Sequence, residues 1–205
     1  HGTTTLFAAL EVATGRVTDA CTALAPQVTW GTSPQQVVAI DAAVPSPSSI
    51  RDADARALAV KALAYMRLEA GKPLLGTKID AAYIGSCTNA RLSDLRAAAE
   101  VLRGRRIAEG IQAVCVPGST QVKREAEAEG LARVFIEAGF EWHESACGLC
   151  SSLGNNRFAD RRVISTTNRN FEGRQGPATR THLASPVTVA ASAVAGHIAD
   201  PRRMC

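Results

Sequence analysis

Residues 81–99 read AAYIGSCTNARLSDLRAAA, and the fold is decided here. Ala81-Ala82-Tyr83-Ile84 is an apolar run of the length of a short buried strand. Gly85-Ser86-Cys87-Thr88-Asn89 breaks the run as a turn, and Leu92, Leu95 and Leu102 follow on a helix. A strand that turns directly into a helix is half of a parallel crossover, because parallel neighbours cannot be joined by a hairpin. The same pattern recurs downstream. Ile111 to Val116 is a second apolar strand, Pro117-Gly118-Ser119 a turn, and residues 121–139 a helix interrupted at Gly130. Val163-Ile164-Ser165 is a further strand, and residues 186–196 an Ala/Val-rich helix. The prediction is an α/β fold, a mostly parallel sheet covered by helices.

Upstream the signals are weaker. Val28-Thr29-Trp30 is β-prone before the turn Gly31-Thr32-Ser33-Pro34, and Val37 to Ile40 reads as a short buried strand. From Asp52, a capping residue, a helix presents Leu58, Ala62 and Tyr65 on one face, with Gly71 and Pro73 as its stop. Residues 1–27 carry no periodicity that assigns an element or a role. The chain divides into an unassigned segment 1–27, a segment 28–78 connecting from a preceding domain, and an α/β domain over 79–205.

Composition narrows the function classes. With 205 residues and 46% hydrophobic content the chain can bury a core, and with aromatics at only 4% that core is mainly Ala, Val, Leu and Ile. The net charge of +4 comes from scattered pairs such as Arg105-Arg106, Arg161-Arg162 and Arg202-Arg203, without an aromatic-studded stripe between them. No nucleic-acid partner is expected. The longest strongly apolar stretch, Val187 to Ala195, is far short of the roughly 20 residues that span a bilayer, so no membrane partner is expected either. The start lacks a secretory pattern and opens on His1 rather than Met, which predicts a cytoplasmic and incomplete chain.

Six cysteines spread unevenly over the chain do not make a secreted disulfide scaffold. Cys147-Gly148-Leu149-Cys150 alone is equally a zinc half-site, a redox pair or an iron–sulfur half-site. Cys87 adds information, because it leaves a strand at the sheet edge where open α/β folds gather ligands. Structural zinc needs a fourth donor, and His143, His182, His197 and the other cysteines offer no paired spacing. A dithiol redox pair leaves Cys87 unexplained. Three thiolates match three irons of a cubane cluster, with the fourth iron open to substrate as a Lewis acid. Cys115, inside an apolar strand, reads as a small buried hydrophobe. Cys21 and Cys205 read as adventitious thiols, although a fourth ligand from either would close the cluster. His182 reads as a packed structural histidine, and His143 and His197 carry no role.

The second constellation is Asn168-Arg169-Asn170-Phe171-Glu172-Gly173-Arg174, after the strand at 163–165. Arg169 and Arg174 are two guanidinium forks suited to a substrate with two carboxylates. On its own such a loop is more often a solvated surface paired with acids, and only its association with a cluster favours binding.

Together these motifs carry a resemblance. VTWGTSP (28–34), YIGSCTNARLSDLRAAA (83–99), VPGSTQVKREAEAEGL (116–131), FIEAGFEWHESACGLC (135–150) and STTNRNFEGRQGPATRTHLASP (165–186) resemble the dehydratase large subunits of the aconitase superfamily, from about residue 22 to the end. The resemblance implies an aconitase-like cluster-binding domain with a 4Fe-4S cluster held by Cys87, Cys147 and Cys150. It implies substrate binding by Asn168, Arg169 and Arg174, and a supporting role near the cluster for Asn89. FEGRQG followed by RTHL looks more like the leucine-pathway branch, which interconverts 2-isopropylmalate and 3-isopropylmalate by dehydration and rehydration, than like aconitase or homoaconitase. The implied substrate is a small dicarboxylate hydroxy acid, and the implied partner is a small subunit that supplies the base, since no residue here is assigned as catalytic. Family large subunits carry acidic and histidine-containing segments upstream of VTWGTSP that are not found here, so the chain is expected to be inactive alone. A non-catalytic zinc- or cluster-binding remnant is the competing expectation.

Overall fold

A computed structural model describes residues 3–11, 16–151 and 156–204, with the side chains described from residue 25 onward. Cys205 and the Cys21 side chain lie outside the described residues. β1 (Thr3–Glu11) and β2 (Arg16–Leu24) pair antiparallel within the segment that the sequence left unassigned. β3 (Gln27–Thr29) and β4 (Val37–Ala39) form a second antiparallel pair. β4 is not the buried strand that its composition suggests: Val37 is exposed and only the following Ile40 is fully buried.

α1 (Ala53–Met66) begins as expected, with the Asp52 carboxylate accepting from Ala55 N at 2.7 Å. Its buried face is Ala59, Ala62, Leu63 and Met66, whereas Leu58 is exposed. In so Ala- and Leu-rich a helix several faces satisfy the same period, and the packing selected a neighbouring one. The helix stops at Arg67 in a left-handed conformation (φ 49°), before Gly71 and Pro73.

The parallel sheet contains β5 (Ala81–Ile84), β6 (Gln112–Cys115), β7 (Glu141–Trp142), β8 (Arg162–Ser165) and β9 (Arg180–Leu183). All pairings are parallel, in the order β7-β6-β5-β8-β9. From β5 the chain first winds outward through β6 to β7, and then returns to the other side for β8 and β9. The winding direction therefore reverses between β5 and β8, where the segments leaving the two strands diverge and open a crevice beyond their carboxyl ends.

The helices are α2 (Leu92–Leu102), α3 (Thr120–Ala128), α4 (Leu131–Ala138) and α5 (Pro186–Ala195), with Gly130 in left-handed geometry (φ 74°) dividing α3 from α4. Strand side chains alternate between two cores. Ala82, Ile84, Ala113, Cys115 and Ile164 join the larger one with Leu95, Phe135 and Val189 from the helices. Ala81, Tyr83, Val114, Val116 and Val163 join a smaller one, closed by Leu149 and Phe158.

Two strands of the parallel sheet escaped the sequence reading. β7 is only Glu141–Trp142, and β9 is Arg-Thr-His-Leu, polar by composition yet almost wholly buried. Its polar groups are paired. Arg180 Nη1 donates to Asp160 Oδ1 at 2.9 Å. His182 is fully buried, with Nδ1 2.7 Å from Thr29 O and Nε2 2.9 Å from Arg162 Nη1. Arginine can only donate, so Nε2 accepts and the proton sits on Nδ1, donating to Thr29. His182 is thus the structural histidine that the sequence suggested, fastening β3 to the sheet.

Burial, followed by the neighbouring Arg162 charge, lowers the His182 pKa to about 3. Between about pH 6.5 and pH 3 the unfolded chain takes up a proton that the folded one refuses, so this histidine makes stability fall as the pH falls. From pH 7 to pH 5 the loss should reach about 2 kcal/mol. His182→Asn, which cannot titrate, should start less stable at pH 7 but lose that part of the slope, as measured by urea midpoints at the two pH values.

Candidate functional site

The crevice is built by the segments that leave the carboxyl ends of the sheet strands. After β5 the backbone turns sharply through Ser86, a non-glycine residue at φ 88°, and presents Cys87 outward. Thr166, the first residue after β8, holds this turn from below. Its buried hydroxyl accepts from Gly85 N at 2.8 Å and donates to Gly85 O at 2.6 Å. Asn89 Nδ2 donates to Thr166 O at 2.9 Å, so both ends of the GSCTN turn are tied to one residue.

The C-x2-C turn follows β7 as a single helical turn over Gly148–Cys150. Leu149, between its glycine and its second cysteine, is buried in the smaller core. That anchor leaves Cys147 exposed and Cys150 half-buried. Gln175 Nε2 donates to Leu149 O at 2.8 Å and Gln175 Oε1 accepts from Thr181 Oγ1 at 3.1 Å, joining the turn to β9.

Cys87, Cys147 and Cys150 line one cleft of about 440 Å³ together with Asn168 and Arg174. The N-terminus of α3 also faces it: Ser119, whose hydroxyl accepts from Val122 N at 3.2 Å, and Thr120 lie on the wall. The positive end of a helix and one arginine make the wall suited to anions. Arg174 Nη2 approaches Cys150 Sγ at 3.8 Å, and its guanidinium carbon lies 5.3 Å from the centre of the Phe171 ring. A larger cleft between α2 and α4, lined by Arg103, Arg106 and Arg133, contains none of these residues.

Not every candidate converges. Arg169 is exposed and lies outside the lining of the thiol cleft. Asn89 lies on an adjacent cleft, which shares Asn168 with the first. Cys115 is fully buried, and burial pushes its thiol pKa well up. Sequence reasoning passed over Thr166, Asn170 and Gln175, which touch no cysteine sulfur but hold the loops. Asn170 is buried, with Nδ2 donating to Gly31 O at 2.6 Å and to Thr29 Oγ1 at 3.1 Å, so the substrate-type loop is tied to β3. No local signal separates buried Asn170 from exposed Asn168, because residues two apart in an extended loop are expected to face the same way.

The donor set fits an iron–sulfur cluster better than a single ion. Three thiols line the one cleft, and among the described residues no three His, Cys, Asp or Glu side chains are grouped closely enough to hold one metal ion. The lining contains no histidine or carboxylate that would serve as a fourth ligand. Ser145 Oγ and Arg174 Nε, both belonging to residues of the wall, are buried without a protein partner, as donors facing an anionic group would be.

Comparison with known proteins gives the chain's relatives. The profile of the family described as "Aconitase family (aconitate hydratase)" matches residues 15–196. The "3-isopropylmalate dehydratase large subunit" of Cupriavidus necator is 64% identical over 184 residues, covering 89% of this chain and 69% of that protein.

Thr166→Val keeps the shape of the side chain but leaves the Gly85 amide without its acceptor and the Gly85 carbonyl without its donor. The variant should lose ~1–3 kcal/mol for these buried groups, read as a lower urea midpoint with unchanged far-ultraviolet circular dichroism.

Proposed function

The chain belongs to the aconitase family, and from that premise we infer that it is a hydro-lyase subunit interconverting 2-isopropylmalate and 3-isopropylmalate by dehydration and rehydration in leucine biosynthesis. What supports the reading is the single cleft that holds three thiols, Asn168 and Arg174 beyond the carboxyl ends of the sheet. Residues 79–205 are its cluster-binding domain and residues 28–78 the connection to it. A small-subunit partner and a cytoplasmic setting belong to the same reading, the first supported by the relative's name as a large subunit. Among the described residues no helix is long and apolar enough to cross a membrane.

Cys87, Cys147 and Cys150 would hold a 4Fe-4S cluster. When bound, the cluster supplies Lewis acidity that eases departure of the substrate hydroxyl as hydroxide. Arg174, at the cleft wall beside Cys150, grips one substrate carboxylate as a charge-assisted fork. Stacking on Phe171 limits the rotation of that guanidinium, so less freedom is lost when substrate binds. Asn168, shared by the two adjoining clefts, is placed to hydrogen-bond the substrate where they meet. Arg169, exposed on the same loop, serves a second carboxylate when the cleft closes against the partner. The elimination also needs a base at the neighbouring carbon, and the cleft wall contains no carboxylate or imidazole to act as one. The base is assigned to the small subunit, as the family resemblance implies.

Anaerobic reconstitution followed by iron and sulfide analysis should give a cluster, with Cys87→Ser, Cys147→Ser and Cys150→Ser each lowering its content. Stoichiometric zinc and no cluster would overturn the reading. In turnover assays with a small subunit added, Arg174→Ala should raise the KM for the dicarboxylate by roughly 10- to 100-fold, the effect of losing one charge-assisted contact.

A further inference from the structure

Tyr83 is the largest side chain of the smaller core, and the mechanism leaves it without a task. Its ring is fully buried on β5, yet its hydroxyl has no hydrogen-bond partner. A buried hydroxyl in that state costs stability, since in the unfolded chain it would be bonded to water. A phenylalanine would fill the same volume without the cost. The hydroxyl's surroundings are specific. It lies beneath both turns that carry the cysteines: a Cβ added at Gly85 would collide with the Tyr83 ring and hydroxyl, and a Cβ at Gly148 would stand 3.9 Å from the oxygen. Burial, followed by the nearby Cys150, Cys115 and Cys147, pushes the phenol pKa up. Glycine at both positions is what lets the sulfur-bearing turns pass this close over the phenol.

We propose that the Tyr83 hydroxyl is a built-in hydrogen-bond donor to the sulfurs of the iron–sulfur group held by Cys87, Cys147 and Cys150, and thereby sets how easily that group is oxidised and lost. The inference rests on the functional reading above. Donation to a cluster sulfur stabilises the more negative, reduced form, so it raises the reduction potential. Cys115 is not the acceptor, because it is buried on the opposite face of the sheet and belongs to the larger core.

The test compares the reconstituted wild-type chain with Tyr83→Phe. Tyr83→Phe should load iron and sulfide but show a more negative midpoint potential in a titration followed by electron paramagnetic resonance. It should also lose its visible absorbance in air about fivefold faster, the effect of one hydrogen bond of ordinary strength. Without a cluster the variant should unfold in urea at the same or a higher midpoint, because the hydroxyl it lacks has no partner in the protein. Equal potentials and equal loss rates would overturn the inference alone. So would a destabilised cluster-free variant, which would show that the hydroxyl is bonded within the protein. A wild-type chain that takes up no cluster would overturn the functional reading, and this inference with it.

Discussion

One hydroxyl, that of Thr166, joins the two halves of the sheet at the point where its winding reverses. It spans the ends of β5 and β8 by bonding both backbone groups of Gly85. Divergence of the segments leaving these two strands is what makes a crevice, but divergence also deprives the first turn of neighbours that would fix it. A side chain that accepts and donates at one residue replaces them. Because Ser86 follows at positive φ, the turn that directs Cys87 outward is held against a conformation that costs about 1–3 kcal/mol.

The other cysteine turn is held by burial. Leu149 enters the smaller core between Val116, Phe158 and Tyr83, and Gln175 bonds its carbonyl. The loop of Asn168 and Arg174 is fixed in a third way, through Asn170 and the amide of Gly173, which donates to Tyr65 Oη at 3.0 Å. Three loops that leave different strands thus reach one cleft by separate attachments. None of these attachments uses a thiol, so the sulfurs remain available for an added group.

The sheet is also wedged from β3. Thr29 Oγ1 accepts from Leu183 N at 2.7 Å, and its carbonyl accepts from His182. This polar seam is why Arg-Thr-His-Leu can be a buried strand: every charge or ring nitrogen in it has a partner from another element. Such a strand has no signature in hydropathy. Its stability is conditional on contacts more than 150 residues away in the chain, as the separation of 153 between His182 and Thr29 shows.

The sequence by itself determined what depends on neighbours close along the chain. The apolar runs of β5, β6 and β8, the period of α2, the break at Gly130 and the Asp52 cap are local, and local physics is written in local residues. The cysteine and NRNFEGR motifs were equally legible, because their residue types announce their chemistry. Only the tertiary structure decided the strand order, the face of α1, the polar strand β9, and which motif residues share a cleft. Those outcomes depend on free energies between segments distant in sequence, and a one-position change of face or a loop's direction leaves composition and spacing unaltered. So Arg174 reaches the thiols while Arg169, carrying the same guanidinium five residues earlier, lies outside their cleft.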